Sequence, residues 1–94
     1  MSVERLAVRV SGHVQGVGFR WWARGHALRL DLLGWVMNAH DEQRIELVAE
    51  GSREALDEME QLMRTGPEGA RVVSVEASRS VASGEFDDFG IVRP

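Results

Sequence analysis

Apolar and polar residues alternate along VERLAVRVS at 3–11, with Leu6, Val8 and Val10 on one side of the chain and Ala7 and Arg9 on the other. That period of two belongs to a half-buried strand. From residue 19 the period lengthens. Phe19, Trp22, Ala23, Ala27 and Leu30 recur at helical spacing, so residues 19–32 are predicted to form an amphipathic helix that Gly34 is placed to end. WVMNA at 35–39 predicts a second strand running into a turn at 40–43, HDEQ. A third strand follows at 44–50 with Ile45, Leu47 and Ala49 facing one way. Ser52 is a suitable N-cap for a second helix striped by Ala55, Leu56, Met59, Leu62 and Met63, and Glu54 suits its first turn. Arg64, Gly66 and Pro67 supply a basic last turn, a C′ glycine and a stop. RVVSVEASR at 71–79 predicts a fourth strand, and 87–92, with Phe89 and Ile91, a short fifth.

The order β-α-β-β-α-β with a terminal strand predicts an α+β fold, the ferredoxin-like split βαβ sandwich: a mainly antiparallel sheet with two helices on one face. Its 94 residues fit a single domain, 1–94, with one modest core. At 44% hydrophobic and 28% charged residues the composition is that of a globular protein rather than a disordered tail. No apolar run approaches the ~18 to 20 residues of a membrane span and MSVERLAVRV lacks a signal-peptide core, so a cytoplasmic protein is expected. The absence of cysteine excludes disulfides, thiol catalysis and cysteine-ligated metal. Net charge is −4, but unevenly spread: residues 1–30 carry five arginines against Glu4, and residues 41–60 carry eight acids against Arg44 and Arg53. A solvated face is the expected role of that acidic run.

The fold hosts many functions, so the chemistry must be sought in particular residues. GHVQGVGFRWW at 12–22 sets Gly16, Gly18 and Arg20 between the first strand and the first helix. The chain has no lysine for a Walker loop, and Trp21 breaks a G-x-G-x-x-G pattern. Gly16 and Gly18 can still take positive φ and turn successive N–H groups inward as an anion nest, with the helix N-terminus behind them and the Arg20 fork beside them. The residues alone leave open a plainer reading, a tight turn with a solvated arginine. Asn38 stands where the second strand leaves the sheet. It is either turn chemistry or an amide able to orient a water and steady negative charge, and it cannot act as a base.

GHVQGVGFR at 12–20 and GWVMNAHDEQRIELVAEG at 34–51 resemble the two signature segments of the acylphosphatase family, and the similarity continues through GPEGARV at 66–72 and FDDFGIV at 86–92. The resemblance implies hydrolysis of carboxyl–phosphate anhydrides without metal or organic cofactor. It gives the backbone amides of Gln15, Gly16, Val17, Gly18, Phe19 and Arg20 the phosphate-cradling role, the Arg20 guanidinium the phosphate grip, and Asn38 the positioning of the attacking water. Two departures stand out. Asp41-Glu42 replaces the family's common Asp-Gly, which implies a longer or differently shaped turn, and the chain ends in Val92-Arg93-Pro94 without the family's frequent tyrosine. The alternative reading is a non-catalytic module that binds acyl or carbamoyl phosphate, since related domains occur inside hydrogenase maturation factors.

Other candidates change this picture little. His13, His26 and His40 lack the spacing of a helical metal pair, and no metal site is expected. Trp21, Trp22 and Trp35 could stack bases, but Glu46 and Glu50 on one strand face oppose RNA, and Trp22 and Trp35 are expected in the core. The expectation is a monomer acting on a small acyl phosphate in an open, shallow site, with neither nucleic acid nor membrane as partner.

Overall fold

The computed structural model describes residues 3–40 and 43–93, so the proposed Asp41-Glu42 turn and the final Pro94 lie outside the described residues. The N-terminal alternation becomes β1, Val3–His13, followed by α1, Phe19–Arg29, and β2, Leu33–Asn38. Then come β3, Arg44–Ser52, α2, Arg53–Thr65, β4, Arg71–Val81, and β5, Phe89–Ile91. The strands lie in the order β4-β1-β3-β2-β5. All pairings are antiparallel except β2 with β5, which run parallel.

Pairing β1 with β3 sets Leu6 opposite Ala49, Val8 opposite Leu47 and Val10 opposite Ile45. These residues form one apolar face, and each is 3% exposed or less. On that face α1 packs against β2 and β5 while α2 packs against β1, β3 and β4. Phe19, Ala23 and Ala27 are the buried side of α1; Leu56, Met59 and Met63 are that of α2. The opposite face of the sheet stays open. Trp35 lies there, paired in register with Val48, and is half-buried rather than a core residue. Strand parity explains the correction: Val36, one residue on, takes the covered side and is fully buried.

Gly34 does not end α1. The helix ends at Arg29 with Leu30 as its C-cap, and it is closed by bonds from Asp31 N–H to Leu28 O at 3.1 Å and from Leu32 N–H to Ala27 O at 2.9 Å. This is a Schellman closure with Asp31 in the left-handed position at φ 58°, a conformation that aspartate tolerates better than most residues. Gly34 sits inside β2 instead, where a Cβ would fall 1.9 Å from the carbonyl oxygen of Val48. A glycine in a strand often marks such a close backbone approach. Gly25, inside α1, has no such reason: a Cβ there would meet nothing within 4 Å. Gly25→Ala is therefore expected to stabilise the protein by about 0.5 to 1 kcal/mol, read as a higher urea midpoint at unchanged slope.

The acidic run is not uniformly solvated. Asp57 and Glu60 hold Arg79 at 2.9 and 3.1 Å, Glu58 holds Arg29 at 2.7 Å, and Glu50 is buried, with 4% exposure. Glu50 accepts bonds from Arg5 Nε at 2.8 Å, Ser83 N–H at 2.8 Å, the Ser83 hydroxyl at 3.0 Å and Gly84 N–H at 3.0 Å. Burial pushes its carboxyl pKa up, but these donors outweigh burial and hold it down at about 2, against an ordinary 4.5. The bonds pin the segment that leads into β5. Because the folded pKa is depressed, the stabilisation is complete above pH 4.5 and is lost as pH falls towards 2. We expect acid to remove on the order of 2 to 3 kcal/mol through this group. Urea unfolding of wild type and Glu50→Gln at pH 7 and pH 3 should show a smaller acid loss in the variant.

Candidate active site

Pairing β1 against β3, and β3 against β2, brings the end of β1, the start of β3 and the end of β2 to one end of the sheet. The glycine loop leaves the sheet there. Buried Val14 and Phe19 anchor its two ends, and between them Gly16 and Gly18 are exposed. Gly16 lies at φ 76° and Gly18 at φ 77°, in the left-handed region, and neither would meet an atom within 4 Å if given a Cβ. These glycines serve backbone conformation, not tight packing. Two left-handed residues this close turn neighbouring N–H groups towards one side of the loop.

The first helical hydrogen bond runs from Trp22 N–H to Gly18 O at 3.0 Å. Before it, the N–H groups of the first turn find no hydrogen-bond acceptor among the described residues. Gly18 has no side chain to cap them, and the first turn holds no acid. The second helix shows the contrast: Ser52 caps Ala55 N–H at 3.2 Å, and Glu54 occupies its first turn. One helix satisfies its own N-terminus, whereas the other presents free donors and the positive end of its dipole at the loop.

Arg20, the second residue of α1, is half-buried, and its guanidinium forms no hydrogen bond or ion pair among the described residues. Asn38 closes β2 opposite Ile45, on the helix-covered face two residues beyond buried Val36. It too is half-buried, and its amide has no partner among the described residues. Loop, arginine and asparagine thus share one end of the sheet, with donors left unused.

Gln15 ties this end together in a way that sequence reasoning missed. Beyond its backbone N–H, its side-chain amide donates to Ala39 O at 3.1 Å and to Arg44 O at 3.0 Å. Arg44 O also accepts from Ala39 N–H at 2.9 Å. The loop is therefore fastened to the residue that follows Asn38. The available signal was a long polar amide between Val14 and Val17, two residues with inward reach. Arg24 makes a second unforeseen tie, donating from Nε to Phe89 O at 3.1 Å and joining α1 to β5.

His13 and His40 are exposed near this end, and His26 lies away from them on α1 against Trp22. No three His, Cys, Asp or Glu side chains converge among the described residues. A hollow on the open sheet face, lined by Ala7, Arg9, Trp35, Glu46 and Ser78, lies mid-sheet, away from the loop. Among the described residues no helix is long and apolar enough to cross a membrane.

The profile of the acylphosphatase family matches residues 6–91. An acylphosphatase from Thermobifida fusca (strain YX) is 46% identical over 89 residues, covering 95% of this chain and 97% of that protein. The crystal structure of the acylphosphatase from Bacillus subtilis superposes with a TM-score of 0.89 at 32% identity, covering 95% of this chain and 98% of its own. The structure of an acylphosphatase from Coxiella burnetii gives 0.88 at 34% identity, covering 97% of this chain and 94% of its own.

Proposed function

The chain belongs to the acylphosphatase family, and we propose that it hydrolyses acyl phosphates by holding the phosphoryl group on the loop Gln15–Arg20 while Asn38 positions the attacking water. The observation that carries this reading is the uncapped N-terminus of α1, opening between two left-handed glycines beside an unpaired, half-buried arginine. A dianion would satisfy all of these groups at once.

The reaction needs little more. Water oxygen forms a bond to phosphorus, the phosphorus–oxygen bond to the acyl group breaks, and the carboxylate departs with the electron pair. A carboxylate is the conjugate base of an acid of pKa ~4, so no general acid is needed on the leaving side. The amides and the Arg20 fork stabilise the non-bridging oxygens, and the Asn38 side-chain oxygen accepts a hydrogen bond from the water, fixing it in line. The water proton passes to a phosphate oxygen, which yields inorganic phosphate without an enzymic base. Positive charge comes from Arg20 and the amide dipoles, so the reaction is proposed to run without metal or organic cofactor, in a cytoplasmic monomer whose residues 1–94 act as one unit.

The test is hydrolysis of benzoyl phosphate with EDTA present. Turnover undiminished by the chelator is the expected result. A protein that binds phosphate but does not hydrolyse the anhydride would be a binding module instead.

A further inference from the structure

The open face of the sheet carries a hollow that the phosphate chemistry does not use, and strand register builds it. Trp35, Val48, Ala7 and Ser78 stand side by side on β2, β3, β1 and β4. The next row on the same face is Glu46, Arg9 and Glu76. The row on the other side is Glu50, Arg5 and Ser80, where Ser83, Gly84 and Glu85 hold the Arg5–Glu50 pair and the Phe86 ring lies 5.4 Å from the Arg5 guanidinium carbon. Short side chains between two rows of long ones leave a trough across the strands, with a volume of about 270 Å³. Rows two residues apart along a strand are separated by about 7 Å, and neighbouring strands by about 4.8 Å. A flat aromatic ring laid over Val48 and Ala7 therefore meets Trp35 on one side and comes within a short substituent of the row that holds Glu46 and Glu76.

The polar groups of this hollow are unspent. Glu50 accepts four hydrogen bonds, whereas Glu46, on the same face of β3, accepts none among the described residues. The Glu46 side chain is only 22% exposed, and its ion pairs with Arg9 at 3.6 Å and Arg44 at 3.9 Å are both beyond hydrogen-bond length. Glu76 stands beside Arg9 in register, yet forms no hydrogen bond or ion pair among the described residues. The lining thus sets two carboxylates against one guanidinium, since Arg44 stands outside it. A long, half-exposed pair such as Arg9 with Glu46 holds weakly and yields easily to a better-placed cation. An anion would meet the two carboxylates, and a wholly apolar ligand would bury Glu46 further without a partner.

We propose that this hollow is a second ligand site, separate from the phosphate loop, for a small planar aromatic cation: the ring lies against Trp35 over Val48 and Ala7, and Glu46 and Glu76 hold the charged group. Its volume sets the size of the ligand. Ordinary ligand pockets span about 300 to 1,000 Å³, so this one takes a single ring with a short arm. The hollow lies mid-sheet and the loop at the sheet's end, so the ligand and phosphate bind together.

Benzamidine is the probe, with benzamide as its neutral counterpart. Each is titrated into isotope-labelled protein, with and without inorganic phosphate, and followed by amide and indole N–H chemical shifts. The Trp35 indole signal, identified by its loss in Trp35→Phe, and the amides of Ala7 and Val48 are expected to shift saturably with benzamidine. A Kd on the order of 1 mM suits a ligand this small. Benzamide should bind at least about tenfold more weakly, and Glu46→Gln and Glu76→Gln should each weaken benzamidine about tenfold, the worth of one charge-assisted contact. Glu76 is exposed, so Glu76→Gln should keep the wild-type spectrum elsewhere and the rate of benzoyl phosphate hydrolysis within about twofold. An unmoved Trp35 signal would overturn the proposal, as would equal binding of benzamide or unchanged affinity in either glutamine variant. Displacement of benzamidine by phosphate would place it at the loop and overturn the proposal as well.

Discussion

Arg20→Gln is expected to lower kcat/KM for an acyl phosphate by about 10³-fold or more and to abolish detectable stabilisation by inorganic phosphate. One preorganised donor to a developing oxyanion is worth about 10² to 10³ in rate, and an arginine aimed at a transferring phosphoryl group about 10³ to 10⁵. The same substitution should not weaken the fold. Arg20 stands in the first turn of α1, where its charge faces the positive end of the helix dipole, and no acid in that turn offsets it. Such a placement costs roughly 0.3 to 1 kcal/mol. In phosphate-free buffer the variant should therefore melt at the wild-type temperature or slightly above it. Added phosphate should raise the wild-type melting temperature through mass action and leave the variant unmoved. Equal phosphate affinity in the two proteins would refute the grip. Arg20→Lys separates charge from geometry: an ammonium supplies a point charge without the bidentate fork, so partial retention is expected.

Alternation in β1 and the stripe of α2 were legible because one apolar face decides each of them, and the observed pairings carry the same residues inward. Ser52 and Gly66 marked the ends of α2 because they satisfy local backbone groups, and Glu54 because its charge suits the helix N-terminus. The end of α1 was misplaced because it depends on Asp31, an uncommon left-handed residue, while the glycine that drew attention serves contact with β3. Glu50 was illegible for a different reason. Its donors come from Arg5, Ser83 and Gly84, so only the folded chain converts one acid among eight into a buried clasp. Trp35 likewise depended on register, since alternation does not say which face a neighbouring helix will cover.

At the site, spacing placed Gly16, Gly18 and Arg20 together because they adjoin in sequence. Asn38 joins them only through sheet pairing, and residue spacing alone left it between a turn residue and a water ligand. The Gln15 side chain escaped notice because its acceptors, Ala39 O and Arg44 O, are backbone atoms, which carry no signature in the chain. Backbone acceptors are nonetheless the commonest partners of buried polar side chains.

Asn38→Ala should separate positioning of the water from binding of phosphate. Its amide makes no hydrogen bond among the described residues, so truncation leaves no buried partner unsatisfied, and stability should change by no more than about 0.5 kcal/mol. Loss of an oriented water in a phosphoryl transfer acts on the transition state alone. The expected result is a fall in kcat of about 10² to 10³ with KM and phosphate affinity within about threefold of wild type. A matching loss of phosphate affinity would place Asn38 in the cradle rather than against the water. The pH profile adds a second readout. With the water proton passing to the substrate's own phosphate oxygen, wild type and Asn38→Ala should share the same pH dependence at different heights. A limb gained or lost in the Asn38→Ala profile would show that an enzyme side chain, rather than the phosphate oxygen, takes the proton. Because Arg20 and Asn38 act on one transition state, the double variant should lose less than the product of the single losses. Full multiplicativity would mean that the two side chains serve separate steps, with the arginine acting before the water is in place.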